Sequence, residues 1–511
     1  MSALAWRHLF AETARTDRGV TYADGRTETF VTYAELASDA GKLAERWLES
    51  GLRDRFVAVI WMDQSLSYLR ALMSVLLAGG IPVPLHPYAK WPEADKAAQL
   101  VEAELVIVSA AKANQLPAEL SGSHLFADGE TAEPLTVHRV PSVFRRSYTP
   151  PGAASILFLS SGSTGTPKGV MLSADNVLSN VRSIQHYVRL EDSDRVLLAK
   201  SLGYCSTITG EWLLALTAGA HLQLAPGFMH PFEAARFVRQ FGTTFMCTVP
   251  SFMLPLVKSD RWRPGDLQSL RQLLVVGGGM APDMLLDLKR KLPWTAIMPS
   301  YGLTEASPRV SYLPPEQLER RPGSVGLPVK DVEIAICRDG KPVPRGEPGE
   351  IVVRGPNVML GYYADERRSA SVLTSYGLCT ADVGWQDEEG YLYVTGRLDS
   401  AVNVGGHTIY PETVEQALLT HPSVMEAGVA GCPDPVWGER LVAFAVAGTP
   451  PEDEHRAVGE LMEHCRDRLS AALCPRDIRF VESLPKTKNG KLDRQALRSM
   501  AKEWEHVQHG N

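Results

Sequence analysis

Three short, almost wholly apolar runs constrain the fold of this chain more than anything else in it: Phe56-Val57-Ala58-Val59-Ile60, Ser155-Ile156-Leu157-Phe158-Leu159 and Leu273-Leu274-Val275-Val276. Each has the length of a strand and no polar alternation, so each must be covered on both faces. The covering layers are legible nearby. Thr32-Tyr33-Ala34-Glu35 is a capping box that opens a helix to about Glu49, and Ser173 can cap another through about His186. Strands alternating with helices in this way predict an α/β fold. The stretch from Ala71 to Leu85 is apolar but broken by Gly79, Gly80, Pro82 and Pro84. It falls short of the roughly 20 residues that span a bilayer and reads as a buried helix followed by a buried strand.

A chain of 511 residues exceeds one ordinary core. Its texture changes twice. From Gly349 to Val404 short strands and turns dominate, as in Gly349-Glu350-Ile351-Val352-Val353. After Asp399 the pattern is compact α+β: a helix from Pro411 to Leu419 with proline in its first turn, a strand at Val442-Ala443-Phe444-Ala445-Val446, and a final helix capped by Asp493. The expected organisation is a large N-terminal domain over residues 1–398, with mixed sheets flanked by helices, and a small α+β domain over 399–511.

The net charge is −7 with both signs interspersed, and no basic stripe carries interleaved aromatics, so no nucleic-acid partner is expected. The seven cysteines begin at Cys205 without Cys-x-x-Cys spacing. They read as small buried hydrophobes, not as a disulfide framework or a zinc site. Residues Met1-Ser2-Ala3-Leu4-Ala5-Trp6-Arg7-His8 lack a basic segment followed by an apolar one, which makes a cytoplasmic location the expectation.

Chemistry concentrates in the loops. Directly after the strand at 155–159 comes Ser160-Ser161-Gly162-Ser163-Thr164-Gly165-Thr166-Pro167-Lys168-Gly169. Its glycines let backbone N–H groups close on an anion, while the hydroxyls and Lys168 add donors and charge. A Walker loop places Gly before its Lys and Ser or Thr after it. Here Pro167 precedes Lys168 and Gly169 follows, so this is a phosphate loop of another kind; a flexible surface linker fits the context less well.

Gly277-Gly278-Gly279 ends another strand without completing a dinucleotide fingerprint, because Pro282 stands in the third glycine's place. It is either a turn that needs positive φ or a bare backbone wall for a flat base or an acyl chain. Tyr301-Gly302-Leu303-Thr304-Glu305 follows Ala296-Ile297-Met298, at the expected mouth of a strand. Tyr301 can stack on a base, Thr304 can donate to phosphate and Glu305 can hold magnesium. A core tyrosine, a loop threonine and a solvated glutamate are the ordinary alternatives. Asp382 and Arg397 could grip ribose hydroxyls or form a surface ion pair, with equal local support. Pro485-Lys486-Thr487-Lys488-Asn489-Gly490-Lys491 would, taken alone, be a solvated basic turn.

Together these segments resemble the superfamily of acyl-CoA synthetases, peptide-synthetase adenylation domains and firefly luciferase. The resemblance runs from about Thr32 to the final helix. It rests on five motifs in order: the 160–169 loop, Tyr301 to Glu305, Asp382, Gly396-Arg397-Leu398-Asp399, and Asn489-Gly490-Lys491. It implies an AMP-forming ligase that activates a carboxylic acid with ATP and Mg²⁺ as an acyl-adenylate. The acyl group then passes to a phosphopantetheine thiol, with coenzyme A the expected acceptor. A stand-alone enzyme that loads a carrier protein is the alternative, and a catalytically silent nucleotide-binding scaffold is the alternative of another class.

The resemblance also implies a mobile C-terminal domain that swings about a hinge at Asp399. Lys491, Thr304, Glu305 and Lys168 become the catalytic set, with Glu305 on the metal. Lys491 would stabilise the α-phosphate and acyl oxygens, and the 160–169 loop the departing pyrophosphate. The implied ATP site comprises Ser160, Ser161, Gly162, Ser163, Thr164, Gly165, Thr166, Lys168, Gly278, Gly279, Tyr301, Gly302, Thr304, Asp382 and Arg397. Two positions depart from the pattern of many relatives: Thr408, where a basic residue is common after Gly405-Gly406-His407, and Asn403, where lysine is common.

Amino-acid-activating relatives place an Asp in the segment here written Gly203-Tyr204-Cys205-Ser206-Thr207-Ile208-Thr209-Gly210. No acid occurs there, Glu211 being the nearest, and a buried unpaired ammonium is costly. An ordinary α-amino acid is therefore disfavoured. Acetate-specific relatives place Trp where Gly302 stands. The expected pocket, walled by Tyr204, Ile208, Gly277 and Gly302, admits a longer or aromatic acid; for Tyr204 and Ile208 core packing is the equal alternative.

Overall fold

The computed structural model describes residues 2–13, 17–23, 28–52, 54–118, 124–128, 135–139, 147–160, 167–225, 227, 229–259, 262–486 and 492–509. Within them the apolar runs become buried strands, as their composition requires. The first is strand Val57–Trp61, buried throughout and flanked in parallel by Ile81–Pro84 and Leu105–Ser109. The helix Leu66–Leu77 precedes Ile81–Pro84, as the interrupted apolar stretch implied.

The third run is strand Gln272–Val275, inside a nine-stranded sheet. Its central members run in the order Ala296–Gly302, Gln272–Val275, Phe245–Thr248, Arg195–Leu198, His221–Leu224 and Gly19–Ala23, each parallel to the next. Ligands of such sheets bind beyond the carboxyl ends of the strands. The segments that follow those ends here begin at Ala199, Val249, Val276 and Leu303.

The second run, strand Ala154–Ser160, pairs antiparallel with Lys168–Ser173, and Ser160 stands opposite Lys168. Gly361–Tyr362 adds a third strand. The two ends of the expected phosphate loop therefore lie side by side on paired strands. The helix Ala174–Val188 starts after the second strand, capped by Ser173 with Asn176 closing the capping box. The helix Tyr33–Glu49 is likewise closed at its start, with Glu35 N–H donating to Thr32 Oγ1 at 3.1 Å and Thr32 N–H donating to Glu35 Oε2 at 2.9 Å. It buries Tyr33, Leu36, Ala40, Leu43 and Trp47 in the main core.

From Val402 onward the chain builds its own sheet, in the order His407–Ile409, Val402–Val404, Gly438–Ala447 and Val424–Asp434, with Asp477–Phe480 parallel to Gly438–Ala447. Helices Pro411–Leu419, Glu454–Arg468 and Arg494–His509 cover it over two small cores, and Asp493 accepts from the N–H groups of Gln495 and Ala496. The result is a mixed α/β molecule with a large N-terminal and a smaller C-terminal domain. Lys258 reaches between them and donates from Nζ to the carbonyls of His421, at 2.7 Å, and Val424. Among the described residues no helix is long and apolar enough to cross a membrane. All seven cysteines are free.

Candidate active site

Tyr301 is the penultimate residue of strand Ala296–Gly302, at its carboxyl end, and is buried. Its hydroxyl donates to Asp382 Oδ2 at 2.6 Å. Burial, and then the Asp382 charge, pushes that hydroxyl well above the usual tyrosine range, so it remains a donor. Asp382 stands opposite Arg397 across the Gly377–Gln386 and Leu392–Arg397 pair, with Oδ1 3.3 Å from Arg397 Nη1. Asp382 is also buried while Arg397 is exposed, so the ion pair reaches from the interior to the surface.

The backbone beside Asp382 is strained. Ala381 has φ 60°, in the left-handed region that L-residues other than glycine rarely adopt. Its N–H is taken by Glu350 Oε1 at 2.9 Å, and the Asp382 N–H by Thr380 Oγ1 at 3.1 Å. Strain held this way is characteristic of positions where a side chain must be aimed. Arg397 continues the network: its Nε donates to Asp399 Oδ1 at 3.0 Å, while Arg498 of the final helix donates to the Asp399 carbonyl at 2.8 Å.

A second group forms around Glu305, on the 3₁₀ turn Thr304–Ala306. Tyr362 donates to Glu305 Oε1 at 3.0 Å, and Lys168 Nζ lies 5.2 Å from the centre of the Tyr362 ring. Burial lowers the Lys168 amine, with Glu305 pulling the other way. Burial and Glu305 raise the Tyr362 hydroxyl. Tyr362 thus joins two residues that the sequence placed in separate motifs, and it was missed because a two-residue strand leaves no periodic pattern. Gly361 before it, at φ 138°, was the available signal.

Among the described residues no three His, Cys, Asp or Glu side chains converge as a metal cage. A single half-buried carboxylate fits magnesium, which keeps water and substrate phosphates as most of its ligands.

The residues expected around the acyl group lie in differing surroundings. Gly277, at φ 81°, and its two following glycines are exposed, and the Gly279 carbonyl accepts from Gln416 Nε2 at 3.0 Å. Tyr204 is half-buried and meets His86 edge-on at 5.5 Å between ring centres. Ile208 is buried in the main core. A Cβ on Gly302 would lie 1.9 Å from the Pro308 carbonyl oxygen, so the backbone leading into the adjacent strand Arg309–Tyr312 dictates glycine there. Pocket width cannot be read from that residue. Glu211 is not free to receive an ammonium: it lies 2.6 Å from Lys200 Nζ.

Residues 161–166 and 487–491, and with them Ser161, Gly162, Ser163, Thr164, Gly165, Thr166 and Lys491, lie outside the described residues. The flanks of the second segment meet, Lys486 bridging Leu492.

The chain matches the model of the AMP-binding enzyme family over residues 10–363, and that of the AMP-binding enzyme C-terminal domain over 413–491. It belongs to the AMP-binding enzyme family. This AMP-binding enzyme is 33% identical to the feruloyl-CoA synthase of an Amycolatopsis species over 477 residues, 91% of this chain and 92% of that one. It is 30% identical to the 2-succinylbenzoate–CoA ligase of Bacillus licheniformis over 479 residues, 91% and 94% of the two chains. A solved structure of O-succinylbenzoate coenzyme A synthetase from Bacillus subtilis, in complex with ATP and magnesium ion, matches with a TM-score of 0.80 at 26% identity, covering 96% of this chain and 99% of that one. The AMP-binding enzyme described here is accordingly an AMP-forming ligase.

Proposed function

We propose that the enzyme joins a carboxylic acid, longer than acetate or aromatic, to coenzyme A by way of an acyl-adenylate. The observation that carries this reading is the continuous network Tyr301–Asp382–Arg397–Asp399, which links the strand end expected to hold the nucleotide to the expected hinge. Asp382 and Arg397 bind the ribose, and Tyr301 flanks the base with Gly278, Gly279 and Gly302. Ser160, residues 161–166, Lys168 and Thr304 hold the phosphates. Glu305 holds Mg²⁺, which supplies charge neutralisation at the phosphates when bound.

Lys491 meets the α-phosphate and acyl oxygens, where charge develops as pyrophosphate leaves. Residues 1–398 and 399–511 are the two moving parts. The aromatic acyl groups in the names of both quoted relatives favour an aromatic substrate.

The test is a panel of carboxylic acids assayed for pyrophosphate release, with coenzyme A present and absent. Aromatic or medium-chain acids should turn over fastest and yield the acyl-CoA. Fastest release with acetate or an α-amino acid would contradict the pocket assignment. Lys491→Ala should lose adenylation while keeping ATP binding; unchanged turnover would remove that residue from the mechanism.

A further inference from the structure

Against the segment 203–210 the structure holds a charged cluster for which adenylation has no use. Lys200 follows strand Arg195–Leu198. Its Nζ lies 2.6 Å from Glu211 Oε1, donates to Ser206 Oγ at 3.1 Å and stands 3.3 Å from Cys247 Sγ. Arg309 enters from the other side, on the strand residue paired with Gly302, and its Nη2 donates to Cys247 Sγ at 3.1 Å. Lys200, Arg309 and Glu211 are 7%, 2% and 0% exposed.

The charges do not balance, since two cations face one carboxylate. Among the described residues no carboxylate lies within ion-pair distance of Arg309, and its buried Nε has no hydrogen-bond partner. Glu211 acts on Arg309 only from beyond ion-pair distance, alongside Cys247 and Tyr187, so one buried carboxylate serves two buried cations, which is strongly unfavourable. Burial also raises the Glu211 carboxyl, against the pull of Lys200 and Arg309. Glu211 sits on a π-helical turn, Ile208–Leu213, a geometry concentrated at functional sites.

The cluster borders the segment 203–210 through Ser206 and reaches Gly302 through its strand partner Arg309. A Cβ on Gly210 would be 3.1 Å from Arg309 Nη2. Cys205, next to Tyr204, is near enough to Arg309, Glu305 and Lys200 for each to act on its thiol.

We infer that this cluster is the far end of the acyl pocket and binds an oxyanion carried by the substrate acid, a carboxylate or sulfonate remote from the carboxylate that is adenylated. Arg309 is the specificity residue, and the Lys200–Glu211 pair fixes the wall it works from. The inference rests on the ligase reading above and narrows its substrate class to acids with a second anionic end.

Matched acids decide the matter: suberate against octanoate, and benzene-1,4-diacetate against 4-ethylphenylacetate. Pyrophosphate release should give the wild-type enzyme a kcat/KM at least tenfold higher for the dianion of each pair. In Arg309→Gln that ratio should collapse toward one. A wild-type preference for the apolar-ended acids, or an Arg309→Gln variant that slows both members of a pair equally, overturns the inference. Arg309→Lys, which keeps the charge and loses the fork, covers the case in which Arg309→Gln fails to fold. Its ratio should fall but stay above one, and a ratio of one counts against the assignment.

If no acid releases pyrophosphate, the ligase reading fails by itself. Calorimetric binding of the same acids in the presence of AMP then still decides the subsite, with tighter binding of the dianion to wild type than to Arg309→Gln supporting it and equal binding refuting it.

Discussion

At the scale of single residues, the site depends on a few buried polar contacts whose loss is calculable. Tyr301→Phe removes the donor to Asp382 and leaves a buried carboxylate oxygen short of a partner, which costs about 1–3 kcal/mol. Chemical denaturation should read that loss, and the KM for ATP should rise. A pH effect follows from four histidines, His86, His221, His421 and His464, which burial holds below the ordinary value of 6.5. The native state keeps them neutral while the unfolded chain takes up protons from about pH 6.5 downward. Stability is therefore fully present above that pH and declines as pH falls toward the lowered native values. Denaturation midpoints at pH 7.5 and 5.5 should show the decline, and His221→Gln should make it smaller.

Tyr301, Asp382 and Arg397 were conspicuous in the sequence because each sits in a recognisable string of neighbours, and the structure joins the three. Tyr362 and Arg309 were not, since their roles come from contacts with residues far away in the chain.

At the scale of elements, composition did most of the work wherever a single segment determines its own structure. The capping boxes at Thr32 and Ser173, the three apolar runs and the proline-led helix Pro411–Leu419 are all local, and all are present. Thr32→Ala should cost about 1 kcal/mol in thermal or chemical unfolding. What stayed hidden was pairing. Strand Lys168–Ser173 opens on Lys-Gly directly after a proline, a poor start for a strand, and it exists because Ala154–Ser160 and Gly361–Tyr362 flank it. The π-helical turn is equally invisible, because a residue added to a helical turn changes no periodicity that a short apolar segment can display.

Gly302 shows the limit most sharply: a glycine that invites a reading about pocket width is set by the backbone at Pro308, just before the neighbouring strand. Gly302→Ala should destabilise the protein by about 1–3 kcal/mol through overpacking, as measured by its unfolding midpoint.

At the scale of the whole molecule, texture alone separated the two domains, while the contacts between them were beyond reach. Lys258 is the clearest of these. Burial lowers its amine to about 8, from an ordinary 10.5. The docked arrangement therefore disfavours the charged amine, and the penalty is present in full below about pH 8. It is relieved as pH climbs from there toward 10.5, so docking should tighten over that interval. Small-angle scattering across pH 7.5–10 should show compaction in the wild-type protein, and Lys258→Met should lose the pH dependence.

The pairing of Ser160 with Lys168 has a consequence for engineering and for divergence. Ser160 and Lys168 are tied to each other by the ladder, so strand pairing on either side of residues 161–166 holds the register of the hairpin. Substituting residues 161–166 with another sequence of equal length should leave the unfolding midpoint nearly unchanged while shifting ATP affinity. Nucleotide preference in such a chain can drift without putting the scaffold at risk.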